Sequence, residues 1–368
     1  MTSTSNYADA ETPLIRNCWY VAGLASEFTR ELKERYLLGN SALMFMSTKG
    51  RPVLLQNRCA HRSFPLHHGR LEGDEVVCMY HGLRYDTEGA CVDAPMIKRP
   101  AVHAKLRRYP LAERGPLVWA WMGDAAAADE SCIPDTAWLT DEGWTSGSGY
   151  VHAKANYVGL QENLLDLTHF DYLHEGNIGT PEWIESTFEV TLEDERVRTV
   201  RRLVDAPPPM LHAVAMKLTH RQHVTRVSDA WFMSPAMNVA FTSIEDLEAE
   251  AGQRRVYGAN ILHLITPETQ HSLHYWAFLS RDYALEDEGV TQGLVASAIK
   301  AFHEDREALE WIEELDAMEG RPPRAHEASF ASDRGSMAMR KIIRQMANAE
   351  AVAGPVGVPI QGPTPGSR

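Results

Sequence analysis

Two cysteine–histidine pairs constrain this chain more than any other feature. "RCAH" sets Cys59 two residues before His61, and "CMYHG" sets Cys78 three before His81, with residues 62–77 between the pairs. Two loops that each offer one thiolate and one imidazole suit a [2Fe–2S] cluster with unlike irons, thiolates on one and imidazoles on the other. Imidazole ligation raises the potential above that of an all-thiolate cluster, so such a centre takes up an electron readily and passes it on. A structural zinc site is the competing reading. Zinc sites of two Cys and two His, however, usually pair Cys with Cys and His with His.

Around these loops, from about residue 40 to 122, short strand-like runs ("ALMFM", "PVLLQN", "EVVCMY", "LRYD", "LVWAWM") are broken by Gly, Pro and Asp, which is all-β punctuation. "GDAAAADESCIPD" (123–135) reads as a linker. A helical stretch at 158–174 precedes long β-rich runs, among them "STFEVTLEDERVRTVRRLV", "MKLTHRQHVTRVS", "MNVAFTSIE", "GANILHLIT" and "SLHYWAFLS". Charged helices are expected at about 292–318 and 333–350. The chain therefore predicts an α+β protein: a small all-β [2Fe–2S] domain (46–135), then a domain with an antiparallel sheet covered by helices (136–350). Residues 1–45 are expected to pack on both domains, and 351–368 to be disordered.

A second constellation lies in "QENLLDLTHFDYLH" (161–174). Asn163, Asp166 and His169 are three residues apart and fall on neighbouring faces of one helix. His174 joins them only if the helix ends or bulges between Phe170 and Leu173. Two imidazoles and one carboxylate on one face of a metal form the facial triad of non-haem Fe(II) oxygenases, which leaves positions open for O₂. The carboxylate is sought in "AFHEDREALEWIEEL" (301–315). Asp305 falls inside the apolar stripe marked by Phe302, Leu309 and Ile312, whereas Glu304 falls outside it. A carboxylate forced into a core needs a compensating charge, which a metal provides. Glu307, Glu310, Glu313 and Glu314 read as a solvated face.

The formal net charge of −14 argues against nucleic-acid or anionic-membrane partners. Residues 51–110 are locally basic, either as ordinary interspersed charge or as a docking face for an acidic partner. Five cysteines are an odd number for a disulfide framework, and Cys18, Cys91 and Cys132 read as ordinary buried thiols. The N-terminus lacks a secretory pattern, and no stretch approaches the roughly 18 apolar residues of a membrane span. A cytoplasmic location fits. No GxGxxG after a strand, P-loop or flavin motif is found, so electrons from NAD(P)H must come through a separate protein.

"RCAHRSFPLHHGRLEGDEVVCMYHGLRYD" resembles the cluster-binding segment of Rieske non-haem iron oxygenases, and Asp166-x-x-His169-x-x-x-x-His174 resembles their mononuclear iron motif. "HLITPETQHSLHYW" (263–276) and "FHEDREALE" resemble the demethylase branch, that of the vanillate O-demethylase and dicamba monooxygenase oxygenase components. The resemblance implies ligation of the cluster by Cys59, His61, Cys78 and His81. It implies Fe(II) on His169, His174 and Asp305, with Asn163 close by, and an Asp166 bridge to a cluster histidine, His81, of the next subunit of a homotrimer. It further implies a ferredoxin or reductase as donor, and O₂-dependent O- or N-dealkylation of a small aromatic substrate with aldehyde release. Aromatic ring hydroxylation and pure electron transfer are the alternatives. Asn238, His263, Trp231, Phe241 and Trp276, with Phe232, Met233 and Met237, are candidates for the substrate wall, and in the dicamba enzyme positions similar to Asn238 and His263 face the substrate.

Overall fold

The computed structural model describes residues 6–320 and 327–353. Frequent turn residues keep the early strands short. They are β1 (Trp19–Leu24), β2 (Lys33–Leu37), β3 (Asn40–Met46), β4 (Pro52–Gln56), β5 (Arg70–Glu72), β6 (Glu75–Val77), β7 (Arg84–Tyr85), β8 (Cys91–Asp93), β9 (Leu111–Arg114) and β10 (Leu117–Trp121). These pair antiparallel into three small sheets, β1-β10-β9, β2-β3-β4 and β5-β6-β7-β8. One cluster loop follows β4 and the other follows β6. Beneath them, Phe45, Leu55, Leu66 and Tyr85 are fully buried.

Strand β1 pairs with β10 from Trp19–Trp121 to Leu24–Leu117. Residues 19–24, part of the segment expected to pack on both domains, are thus paired into the first domain. What precedes β1 lies on the second half of the chain: Ala8 N–H donates to the Arg340 carbonyl at 3.0 Å, and Arg340 Nε donates back to Ala8 O at 2.7 Å. Cys132 is exposed, which corrects its reading as a buried thiol.

The second domain runs β11 (Thr145–Ala153), α1 (Tyr157–Leu165), α2 (Phe170–Leu173), β12 (Thr187–Glu193), β13 (Arg196–Ala206), α3 (Met210–Ala215), β14 (Val224–Ser234), β15 (Met237–Asp246), β16 (Val256–Thr269), β17 (Ser272–Arg281), α4 (Glu288–Glu319) and α5 (Arg334–Ala353). Its strands form one seven-stranded antiparallel sheet in the order β11-β17-β16-β15-β14-β13-β12. Helix α4 lies against β11, where a Cβ on Gly147 would run into Val295 and Thr291, and one on Gly149 into Ile299. Only hydrogen at these two positions lets the helix come so close. The run from Met216 is a strand only from Val224, because α3 and a turn through Lys217 (φ 60°) take up its beginning. Helix α5 continues through Ala353, and the rest of the expected tail lies outside the described residues. Among the described residues, no helix is long and apolar enough to cross a membrane.

Candidate iron centres

Cys59 and Cys78 open loops of one construction. Cys59 N–H donates to Phe64 O (2.9 Å), and its carbonyl accepts from Ser63 N–H (2.9 Å). Cys78 N–H donates to Leu83 O (2.8 Å), and its carbonyl accepts from Gly82 N–H (2.9 Å). Each loop turns through a left-handed residue at the same place, Ser63 (φ 56°) and Gly82 (φ 75°). Both sulfurs are buried, and burial pushes the Cys78 thiol pKa up. The His61 and His81 rings lie toward the surface with centroids 4.5 Å apart. A single tetrahedral zinc would hold its donors about 3.3–3.8 Å apart, yet no three of these four residues bring donor atoms within 4.8 Å of one another. Two metals with bridging sulfides span such a set. Tyr85 Oη stands 3.2 Å from Cys59 Sγ and accepts the Ala60 N–H at 3.2 Å.

The second site depends on where α1 stops. Asn156 caps its start by accepting from Val158 N–H at 2.9 Å. At the other end Asp166 is already extended (φ −94°, ψ 104°). Its carboxylate accepts both the N–H (2.9 Å) and the hydroxyl (2.7 Å) of Thr168. That local bonding competes with the helix and ends it. The freed carbonyls are satisfied from elsewhere, Leu165 O by the Thr199 hydroxyl (3.2 Å) and Leu167 O by Trp183 Nε1 (2.9 Å). The expectation of one helix carrying Asn163, Asp166 and His169, broken after Phe170, is therefore corrected. The break precedes His169, which starts the single turn α2, and His174 closes it.

This arrangement brings both imidazoles to one carboxylate. His169 Nε2 and His174 Nε2 lie 3.5 and 3.2 Å from Asp305 Oδ1, and the donor atoms of the three residues all fall within 4.8 Å of one another. Ligands on one face of a first-row metal, each about 2.1 Å from it, sit about 3 Å apart. Two imidazoles and one carboxylate at this spacing fit Fe(II) with open positions. Asn163 Nδ2 donates to the same Asp305 oxygen at 2.8 Å, and its buried Oδ1 has no partner. Burial lowers the His174 pKa, but Asp305 and Glu304 more than offset it and leave it raised. His169 is lowered, burial prevailing over the pull of Asp305.

The sequence reading missed Glu304. Its Oε2 is 2.8 Å from His174 Nδ1, which turns Nε2 toward Asp305 and is a common way to orient a metal-binding imidazole. Sorting the helix by hydrophobicity put Glu304 on a solvated face; the adjacent acidic pair was the available signal. Ile312, placed in the core stripe, is exposed. Two acids read as solvated act as tethers: Glu310 accepts from Lys154 N–H (2.8 Å) and Glu313 from Asn156 N–H (3.0 Å).

The three residues open onto a cavity lined also by Leu167, Phe170, Leu211, Ile261 and Phe302, with Arg226, Ser228, Thr242 and His263 as polar wall residues. His263 Nδ1 lies 2.5 Å from Tyr275 Oη, and burial lowers its pKa to about 3. Asn238 pairs across from His263, is fully buried, and has no partner for either amide atom, but it does not line the cavity. Strand alternation corrects three expected wall residues. Trp231 lies under the Arg198 guanidinium (5.1 Å), Phe241 is partly exposed, and Trp276 packs on Tyr150 (5.4 Å) beneath Arg35. Each is out of phase with the lining residues Ser228, Ala240, Thr242 and Ile261. Phe232 and Met237 belong to the core, and Met233 packs against it.

Comparison with known proteins agrees with this architecture. Residues 18–110 match the Rieske [2Fe-2S] domain, and residues 153–349 match the vanillate O-demethylase oxygenase C-terminal domain. The chain is 34% identical to the iron–sulfur subunit of the toluene-4-sulfonate monooxygenase system of Comamonas testosteroni, over 82% of this chain and 88% of the relative. It is 31% identical to the oxygenase component of dicamba O-demethylase of Stenotrophomonas maltophilia, over 81% of this chain and 88% of the relative. Dicamba monooxygenase bound to 3,6-dichlorosalicylic acid superposes with a TM-score of 0.85 at 29% identity, covering 92% of this chain and 99% of that one. The chain belongs to the Rieske oxygenases of the vanillate O-demethylase family.

Proposed function

We propose that this chain is the terminal oxygenase of a multicomponent system that hydroxylates an alkyl carbon carried by an aromatic compound. When that carbon is bonded to oxygen or nitrogen, the product collapses with release of an aldehyde. The observation that carries the reading is the meeting of His169, His174 and Asp305 at the wall of a largely apolar cavity. Fe(II) held there would supply O₂ activation, drawing electrons from a cluster on Cys59, His61, Cys78 and His81. The chain's own residues do the rest. Glu304 and Asn163 orient His174 and Asp305, while Leu167, Phe170, Ile261 and Phe302 hold an aromatic ring and keep water away.

Electron delivery is the second part of the proposal. Arg58, Arg62, Lys98, Arg99 and Lys105 are exposed and form no ion pair with a carboxylate among the described residues, which suits an acidic ferredoxin or reductase. Met79 and Tyr80 stand exposed beside His81, and a surface hollow beside His169 carries the exposed Tyr172 and Ile184. Matching of these surfaces in a ring of three copies would set His81 of one chain near Asp166 of the next.

Incubation with methoxylated and N-methylated aromatics, O₂ and a surrogate reductase should release formaldehyde in step with substrate loss. A cis-diol as the sole product would sink the dealkylation reading.

A further inference from the structure

The cavity holds a positive charge that the fold does not balance. Arg226, on β14, is 3% exposed and lines the wall together with Ser228 and Thr242. Its Nη1 donates to Ile178 O at 3.0 Å, and its guanidinium lies 4.0 Å from the Trp183 ring centroid and 5.7 Å from that of Phe170. Its Nε has no partner, and no carboxylate forms an ion pair with it among the described residues. Of the other buried arginines, Arg340 faces Glu162 at 3.6 Å and Arg344 faces Asp9 at 3.3 Å. Arg281, which forms no ion pair among the described residues, donates to the Thr291 hydroxyl and to the Ala284 and Asp287 carbonyls, and Arg201, likewise without an ion pair among them, donates to the Ser186 hydroxyl. Burial alone lowers the Arg226 pKa, to about 9, so the side chain is mainly cationic at neutral pH. His212, in the same wall, has its pKa lowered to about 3 by burial and by the charge of Arg226, and its Nδ1 is unpartnered.

A buried guanidinium without a counter-charge is unfavourable, and stacking on aromatic faces offsets only part of that cost. An anion entering the cavity offsets the remainder. We propose that Arg226 anchors an oxyanion group, a carboxylate or a sulfonate, on the aromatic substrate, assisted by the hydroxyls of Ser228 and Thr242. The planar fork of arginine suits two oxygens of such a group at once. The proposal rests on reading this cavity as the oxygenase's substrate site, and it narrows the substrates to aromatic acids. Neutral aromatic ethers of the same shape would leave the charge of Arg226 uncompensated.

The test is calorimetric titration of the iron-replete holoenzyme, without reductant. The probes are toluene-4-sulfonate against toluene-4-sulfonamide, and 3-methoxybenzoate against its methyl ester. The wild type should bind each anion at least about tenfold tighter than its neutral partner. Arg226→Met should abolish that preference while leaving neutral-probe affinity within about threefold. Arg226→Lys keeps the charge without the fork and should retain part of the preference. The cluster's visible spectrum reports whether each variant is folded. If Arg226→Met does not fold, the lysine variant decides: a preference reduced by about threefold or more supports the anchor, and an undiminished one overturns it. Equal wild-type affinity for charged and neutral probes, or a preference that survives Arg226→Met, also overturns it. If the preference is lost as expected but the reduced enzyme releases no aldehyde from 3-methoxybenzoate, the anion site stands and the dealkylation reading falls. Equal oxidation of acid and ester would sink the anchor alone.

Discussion

Glu304 decides which nitrogen of His174 faces Asp305, and it is the most informative single contact in the second domain. Replacing Glu304 with Gln should weaken iron binding about 10- to 100-fold, as measured by competition with a chelator. Asp305→Ala should remove one iron of about three per chain and leave the cluster's visible spectrum unchanged. A vanished spectrum would show that the two sites had been wrongly separated. At the other centre, Tyr85→Phe removes a hydroxyl 3.2 Å from Cys59 Sγ, and the reduction potential should fall, as read by redox titration. Ligand candidates were legible in the sequence because Cys, His and Asp at set spacings have few other reasons to recur. Glu304 was not, because hydrophobicity sorts side chains by where they point in water and is blind to a partner arriving from another element. For the same reason Arg226 passed unnoticed among the alternating polar residues of β14.

Among the elements, the two cluster loops are conformational twins built from different sequences. Gly82 meets the left-handed turn with no Cβ, whereas Ser63 holds the same turn with one. Gly82→Ala should therefore cost about 1–2 kcal/mol in the unfolding free energy, with the side chain of Pro95 adding to the strain. Chemical denaturation followed at the cluster band would measure it. Gly149→Val should destabilise the β11–α4 contact by about 1–3 kcal/mol, since the added side chain would overlap Cδ1 and Cγ1 of Ile299 and force that side chain to shift. Long strands and α4 were readable from periodicity, and so was the general place of α1. The exact end of α1 was not, because helical spacing in residues 161–174 continues past a point where Asp166 and Thr168 bond to each other instead. Trp231, Phe241 and Trp276 were assigned to the wrong face because a run of aromatic residues marks a strand without telling which side is dry.

For the whole molecule, buried histidines set the response to acid. His212 and His263 have their pKa values lowered to about 3 and His274 to about 4, all chiefly by burial, against an ordinary value of 6.5. The unfolded chain therefore takes up protons near pH 6.5 that the fold refuses until far lower pH. Stability should be steady above about pH 7 and decline as pH falls from about 6.5 toward 4. Scanning calorimetry over that range checks it, and His274→Gln should flatten the slope. On the proposed ring of chains, Asp166→Asn should leave iron content near normal yet slow electron transfer to the second centre; unchanged turnover would remove Asp166 from that path. The two metal-binding sets also differ in how they are spread along the chain. All four cluster ligand candidates lie between residues 59 and 81, whereas His174 must wait for Asp305, which follows six of the seven strands of the large sheet, β12 to β17. A ribosome has released the complete cluster cradle long before it has made the last ligand of the second centre. Synthesis from the N-terminus therefore completes the cluster ligand set first, and the oxygen-reactive site cannot form before those ligands have been made.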